Sequence, residues 1–175
     1  MELVEPNIKY KDSFLAAVAE YQANKEAIGS RRHYSDLDID ATRSNFSAYI
    51  EKLLSQREGK NLPEEHVPVT TYWLVDNDEF IGRVSLRHIL SDKLHKDGGH
   101  IGYDIRPSMR GRGYGKKILE LGLHKAKTLG IENALITCDV GNIPSKKIIE
   151  ANGGVMENKV MSDEGIEKLR YWIKV

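Results

Sequence analysis

Apolar positions in this chain fall into two helical stretches, then a run of strands, then a half in which helices and strands alternate. Phe14, Ala17, Val18 and Tyr21 recur at helical spacing, and so do Phe46, Tyr49, Ile50 and Leu53. The second of these helices is expected to start near Asp40 or Thr42, either of which could cap it. Residues 70–76 and 80–89 are rich in β-formers and flank the polar turn Asp76-Asn77-Asp78-Glu79, the pattern of a hairpin. From 100 to 106 the chain alternates, with Ile101, Tyr103 and Ile105 on one face and Pro107 as its stop. Gly115, Ile118, Leu119, Gly122, Ala126 and Leu129 form a helical stripe ended by Gly130. The run 134–140 is nearly all apolar, as in a buried strand. A short helix is predicted over 144–152, with Pro144 in its first turn and Gly153-Gly154 at its end. Residues 155–161 and 169–175 then form a last hairpin, and residues 3–5 make a weak first strand. The order predicts an α+β (α/β layered) domain, a mixed sheet covered by helices. Two loops break the pattern, 27–40 and 58–68, and loops of that length inside a compact domain are often functional.

Composition narrows the class. The 175 residues suit one domain, 1–175, with a sizeable core. Acidic and basic residues balance at 26 each, so no global field draws the chain to nucleic acid or to an anionic membrane. The single cysteine, Cys138, leaves no internal disulfide and fits a reducing compartment. No stretch near the N-terminus reads as a signal peptide, and no apolar run approaches a membrane span, so a cytoplasmic location is expected. No Cys-His spacing supports a metal, and Cys138 is read as packing.

One segment carries a local basic site: Arg110-Gly111-Arg112-Gly113-Tyr114-Gly115-Lys116, after a strand and opening a helix. The first turn of a helix leaves backbone N–H groups unpaired and carries partial positive charge, which is where an anion binds. Glycines let backbone approach a pyrophosphate, and Arg110, Arg112 and Lys116 add charge. The alternative is a glycine-rich turn with solvated basic residues. Two other phosphate motifs are demoted. A loop of the Gly-x4-Gly-Lys-Ser/Thr type needs a hydroxyl after its lysine, and Lys116 is followed by Lys117. A dinucleotide fingerprint belongs at the first strand with an acidic residue closing the next, and neither condition is met.

Arg110-x-x-Gly113-x-Gly115 resembles the acetyl-CoA pyrophosphate motif of the GNAT superfamily. Asn142-Ile-Pro-Ser145, after the strand ALITCDV, resembles that family's Asn-x-x-Ala/Ser at the following helix. The order of elements is similar over essentially the whole chain, and the stretch GGHIGYDIRPSMRGRGYG looks like a branch of bacterial predicted acetyltransferases. The resemblance implies the GNAT fold, with about seven strands and about four helices. It also implies that the strand before the phosphate loop splays from its neighbour and pairs with pantetheine. On that reading the backbone of Tyr103, Asp104 and Ile105 holds the pantetheine arm. Amides from Arg112 to Lys116, with Arg110 and Gly111 beside them, hold the pyrophosphate, and Asn142 and Ser145 contact the arm or position the helix. The cosubstrate is acetyl-CoA and no metal is required.

The family's usual acid toward the leaving thiolate is a Tyr seven residues after the Asn. Here that position is Ile149, so the acid is unassigned. The place of the family's frequent Glu base is held by His100, whose near-neutral intrinsic pKa suits that work. Asp104, on the same face, could orient the imidazole or be the base itself; a purely structural histidine is the alternative. His33 and Tyr34 in the first loop, and His88 on the strand face of Val84 and Leu86, are candidates for the acceptor site, against readings as a solvated loop and a core-edge histidine. The expected activity is direct transfer of acetyl from acetyl-CoA to a primary amine in a ternary complex. Acetylation of a protein lysine or N-terminus, and a CoA-binding module without turnover, stay open, as does the homodimer that is the family's habit.

Overall fold

A computed structural model describes residues 1–24, 32–60, 62 and 66–175. Along the chain it holds β1 (Glu2–Val4), α1 (Lys11–Ala23), α2 (Arg32–Ser35), α3 (Ile39–Ser44), α4 (Phe46–Ser55), β2 (Val69–Asp76), β3 (Glu79–Arg87), β4 (Ile101–Ile105), α5 (Tyr114–Thr128), β5 (Asn133–Asp139), α6 (Ile143–Ala151), β6 (Val155–Met161) and β7 (Glu167–Lys174). The β2–β3 turn is two residues, Asn77 and Asp78, both left-handed at φ 48° and 62°. Those are the residue types that tolerate such a turn, and its twist matches the strands it joins. The predicted cap of the second amphipathic helix is corrected. Asp38 caps α3 by accepting the Ala41 N–H, and α4 follows at Asn45 with no side-chain cap. The stretch 32–40, expected as loop, holds α2 and the start of α3, whereas 25–31, 61 and 63–65 lie outside the described residues.

The seven strands among the described residues do not form one continuous ladder. One sheet runs β1-β2-β3-β4 and another β5-β7-β6, every pairing in both antiparallel. Two apolar cores lie on opposite faces of the first sheet. Under α1, α2 and α4, Phe14 stacks on Trp73 with centroids 4.8 Å apart, among Tyr34, Phe46 and Phe80. Under α5, Val84, Leu86 and Ile101 pack with Ile118 and Leu119, and with Ile136 and Tyr171 of the second sheet. A Cβ at Gly122 would sit 3.1 Å from Val84 Cγ2, so α5 lies close on β3 because that position lacks a side chain.

Candidate functional site

The cleft begins where β4 and β5 part. The two strands are joined at one end only. His100 donates its backbone N–H to Leu135 O at 2.7 Å, its Nδ1 accepts the Leu135 N–H at 3.0 Å, and Gly99 bridges to Ile136. Gly99 is left-handed (φ 74°), and a Cβ there would stand 2.5 Å from Leu135 O, so only glycine lets the chain pass this closely. Past that vertex β4 has β3 on one edge alone. Arg87 N–H to His100 O and Arg106 N–H to Ile81 O fix the phase of the β3–β4 ladder. The alternation of an antiparallel pair then turns the backbone groups of Gly102 and Asp104 to β3, and those of Tyr103 and Ile105 to the open edge. Ile105 O already accepts from Arg110 Nε at 3.2 Å.

At the far end of that edge the chain turns through Pro107–Met109 into the glycine-rich segment. Gly111 and Gly113 are left-handed at φ 75° and 82°, with open space where a Cβ would be. Gly113 is the N-cap of α5, and the first intrahelical bond runs from Lys117 N–H to Gly113 O, which leaves the N–H groups of Tyr114, Gly115 and Lys116 directed out of the helix end. Gly115 has a further reason to lack a side chain: a Cβ there would lie 2.4 Å from Ile148 Cδ1, so it lets α6 pack on α5. Arg110, Arg112 and Lys116 are exposed around this end. Tyr114 turns away and donates to Asp76 at 3.1 Å.

Across the gap, Asn142 caps α6, its Oδ1 accepting the Ser145 N–H at 3.1 Å. Ser145 Oγ lies 3.0 Å from Tyr103 Oη, so a hydroxyl pair spans from β4 to α6. Burial pushes the Tyr103 phenol up to about 12, against a smaller opposing effect of Ser145. Cys138 is buried, which raises its thiol to about 11 and keeps it protonated and inert. Ile149, at the usual acid position, is fully buried in the core.

The other face of β4 looks toward α1 and α2. Asp104 is buried there, bound to Arg83 Nη2 at 3.0 Å and Nε at 3.1 Å, and accepts from Tyr21 Oη at 2.8 Å. Tyr34 stacks on Tyr21 at 4.8 Å with the Arg83 guanidinium 5.3 Å from its ring centre. Burial, then Asp104, raises both phenols well above their usual 10. Two expectations are corrected here. Asp104 neither orients His100 nor is available as a base, because its oxygens are engaged by Arg83 and Tyr21. Tyr34, a candidate for the acceptor site with a solvated loop as the alternative, is 1% exposed, a core residue that fits neither reading. His88 shares its Nε2 with Thr70 Oγ1 at 2.7 Å and is held below its usual pKa by burial, the core-edge reading. The side chain of His33 lies outside the described residues. Sequence reading passed over Arg83 and Tyr21, although a charged residue inside a β-run, Gly-Arg-Val, is the signal of a buried pair. It also passed over Glu20, which accepts from Arg106 Nε at 2.7 Å and from the Ser108 N–H at 3.0 Å and so ties α1 to the end of β4.

Acquiring a proton is the harder task for His100. The Leu135 N–H occupies Nδ1, so in the neutral ring the proton sits on Nε2, which donates. Burial, then His95 and Arg87, lowers its pKa below 6.5 and keeps it neutral.

A split sheet, a free strand edge and an anion-binding helix end in line define a class. Residues 8–155 match the family described as acetyltransferase (GNAT) domain. The chain belongs to that family: it is an acetyl-CoA-dependent N-acetyltransferase. Its fold is similar to the microcin C7 self-immunity acetyltransferase MccE in complex with acetyl-CoA and AMP (TM-score 0.70, 16% identity, 99% of this chain and 91% of that one). It is similar to RimL, a ribosomal L7/L12 alpha-N-protein acetyltransferase in complex with coenzyme A (0.68, 19%, 99% and 93%). Mycobacterium smegmatis RimJ in complex with CoA-disulfide is a third (0.71, 16%, 99% and 81%). No curated protein matches the sequence.

Proposed function

We propose that this chain, a single catalytic domain over 1–175, transfers acetyl from acetyl-CoA directly to the primary amine of a small acceptor within a ternary complex. The observation that carries the reading is the gap between β4 and β5, which runs from the His100 vertex to the N-terminus of α5. Pantetheine fits this gap as an added strand on the Tyr103 and Ile105 edge, with the pyrophosphate at the amides of Tyr114 to Lys116. Asn142 and Ser145 line the opposite wall.

The Tyr103–Ser145 pair faces the leaving sulfur on this reading. A phenol at about 12 remains a donor throughout the working range. Complete transfer to a thiolate, whose pKa lies lower, would be uphill. The pair therefore stabilises the thiolate through a hydrogen bond, and water delivers the proton. His100 acts as a positioning residue. Its Nδ1 ties the vertex and its Nε2–H donates, so the amine enters already neutral or loses its proton through water.

Two measurements test the reading. Calorimetric titration with CoA should show binding that Gly113→Glu, which puts an anion in the helix-end site, weakens at least tenfold in a folded protein; unchanged affinity overturns the cofactor assignment. Free-thiol release from acetyl-CoA, screened over amines, amino acids, polyamines and N-terminal peptides, should identify the acceptor. Turnover confined to peptides would replace the small acceptor with a protein N-terminus.

A further inference from the structure

The acceptor face of the cleft holds a cation that no acid among the described residues neutralises. Arg83, Ser85 and Arg87 succeed one another on one face of β3, opposite Asp104 and Gly102 of β4 and His100 just before it. Arg83 is neutralised by Asp104. Arg87 is not: its described partners are the carbonyl oxygens of Gly99 at 2.8 Å and Gly98 at 3.4 Å, both reached by Nη1. Burial, and then the charge of Arg83, lowers its pKa, the signature of a guanidinium short of counter-charge. Diagonal to it across the ladder, Gly102, which faces Ser85, has no side chain. A Cβ on Gly102 would meet nothing nearer than Arg87 Nη1 and Nη2 at 4.0 Å. That leaves open space between the guanidinium and Gly102, and Nη2 makes no hydrogen bond among the described residues.

Holding a half-buried charge against two neutral carbonyls costs free energy unless an anion joins it. A planar guanidinium with one edge free is matched by a carboxylate, which it binds through paired hydrogen bonds. Resting on the acetyl-transfer reading above, we propose that Arg87 is the anion subsite of the acceptor, and that the acceptor is a small amine carrying its own carboxylate. The carboxylate binds Arg87 above Gly102, which leaves the amine along β4 toward the thioester. Balanced transfer then follows: the amine nitrogen bonds to the acetyl carbon, the carbon–sulfur bond breaks, the sulfur leaves as thiolate, and one amine proton passes to water.

The test is free-thiol release with matched pairs: glycine, β-alanine, γ-aminobutyrate, alanine and glutamate, each against its neutral carboxamide. At least one acid should exceed its amide tenfold or more in kcat/KM. Arg87→Met should abolish that preference through KM while calorimetry shows CoA affinity within twofold of the parent. Arg87→Lys should restore part of it. Gly102→Asp, which supplies an internal carboxylate where the structure has room, should suppress the acid and spare the amide, a second route should Arg87→Met fail to fold. Acids and amides reacting alike, a preference that survives in Arg87→Met, or no turnover of any acid would each overturn the subsite. Loss of CoA binding by the parent protein would instead overturn the acetyl-transfer reading, so the two failures are distinguishable.

Discussion

Asp104 accepts two bonds from Arg83 and one from Tyr21 inside a face sealed by aromatic rings. Asp104→Ala would leave the Arg83 guanidinium buried, with its Nη1 already lacking a hydrogen-bond partner. Breaking a buried pair on one side costs about 3–5 kcal/mol. Urea denaturation should show a loss of that size, and a loss below about 1 kcal/mol would mean that water reaches Arg83. His100 makes a pH-dependent contribution. Its folded pKa lies below the unfolded 6.5, so the unfolded chain binds more protons in the window between them. The stability it lends is present above about 6.5 and is lost as pH falls toward the folded value. His100→Asn keeps an acceptor, Oδ1 in the place of Nδ1, for the Leu135 N–H and removes the titration. Its melting temperature should fall less than the parent's between pH 7.5 and 5.5, and equal falls would contradict the assignment. At this scale the sequence revealed which residues cluster on the strand but not their partners. Nothing in GYDIR says that its aspartate meets an arginine on the neighbouring strand and a tyrosine far upstream, because side-chain pairing depends on register and packing that periodicity does not encode.

Among the elements, α5 shows how one motif divides its work. Gly111 and Gly113 supply left-handed backbone, and Gly115 supplies clearance for Ile148. Gly113→Ala should cost about 1–2 kcal/mol through backbone strain and leave CoA affinity nearly intact, whereas Gly113→Glu should lose both. Gly115→Val should separate α5 from α6 at a cost of about 1–3 kcal/mol. Differential calorimetry with and without CoA separates these effects: a normal ligand-induced shift is expected for Gly113→Ala and a diminished one for Gly113→Glu. Equal shifts in those two would show that the helix end does not bind the anion. Element order and type were legible for α1, α4, α5, α6 and the strands, since the helical and alternating periods there are strong and the hairpin turns short. The start of α4 was not. Its N-terminus lacks a side-chain cap because α3 ends directly into it, and the acidic residue that does cap, Asp38, belongs to α3. In the same way, α2 is four residues long and carries no periodic signal.

For the whole molecule, the decisive feature is that its two sheets touch at one end of the cleft. The backbone bonds there are those of His100 with Leu135, with the Gly99–Ile136 bridge beside them, and α5 and α6 span the rest through side-chain packing. A mixed central sheet was the expectation; its division could come only from the resemblance, since strand spacing along a chain does not say which edges stay unpaired. An added strand in the gap would pair with the open edge of β4 and bridge the halves. By mass action, CoA at a hundred times its dissociation constant should raise stability by about 2.7 kcal/mol. That increment reports on the whole protein, whereas the local consequence is specific. The amide hydrogens of Tyr103 and Ile105 face the gap, so their exchange should slow by at least tenfold when CoA binds. Those of Gly102 and Asp104, already bonded to β3, should change only as much as global stability changes. In Asn142→Ala the cap of α6 is lost, a cost of about 1 kcal/mol, and slowing at Tyr103 should persist unless Asn142 also holds the arm. Equal protection of all four amides in the parent would mean that CoA stabilises the fold without lying along β4, and the strand-addition geometry would then be wrong.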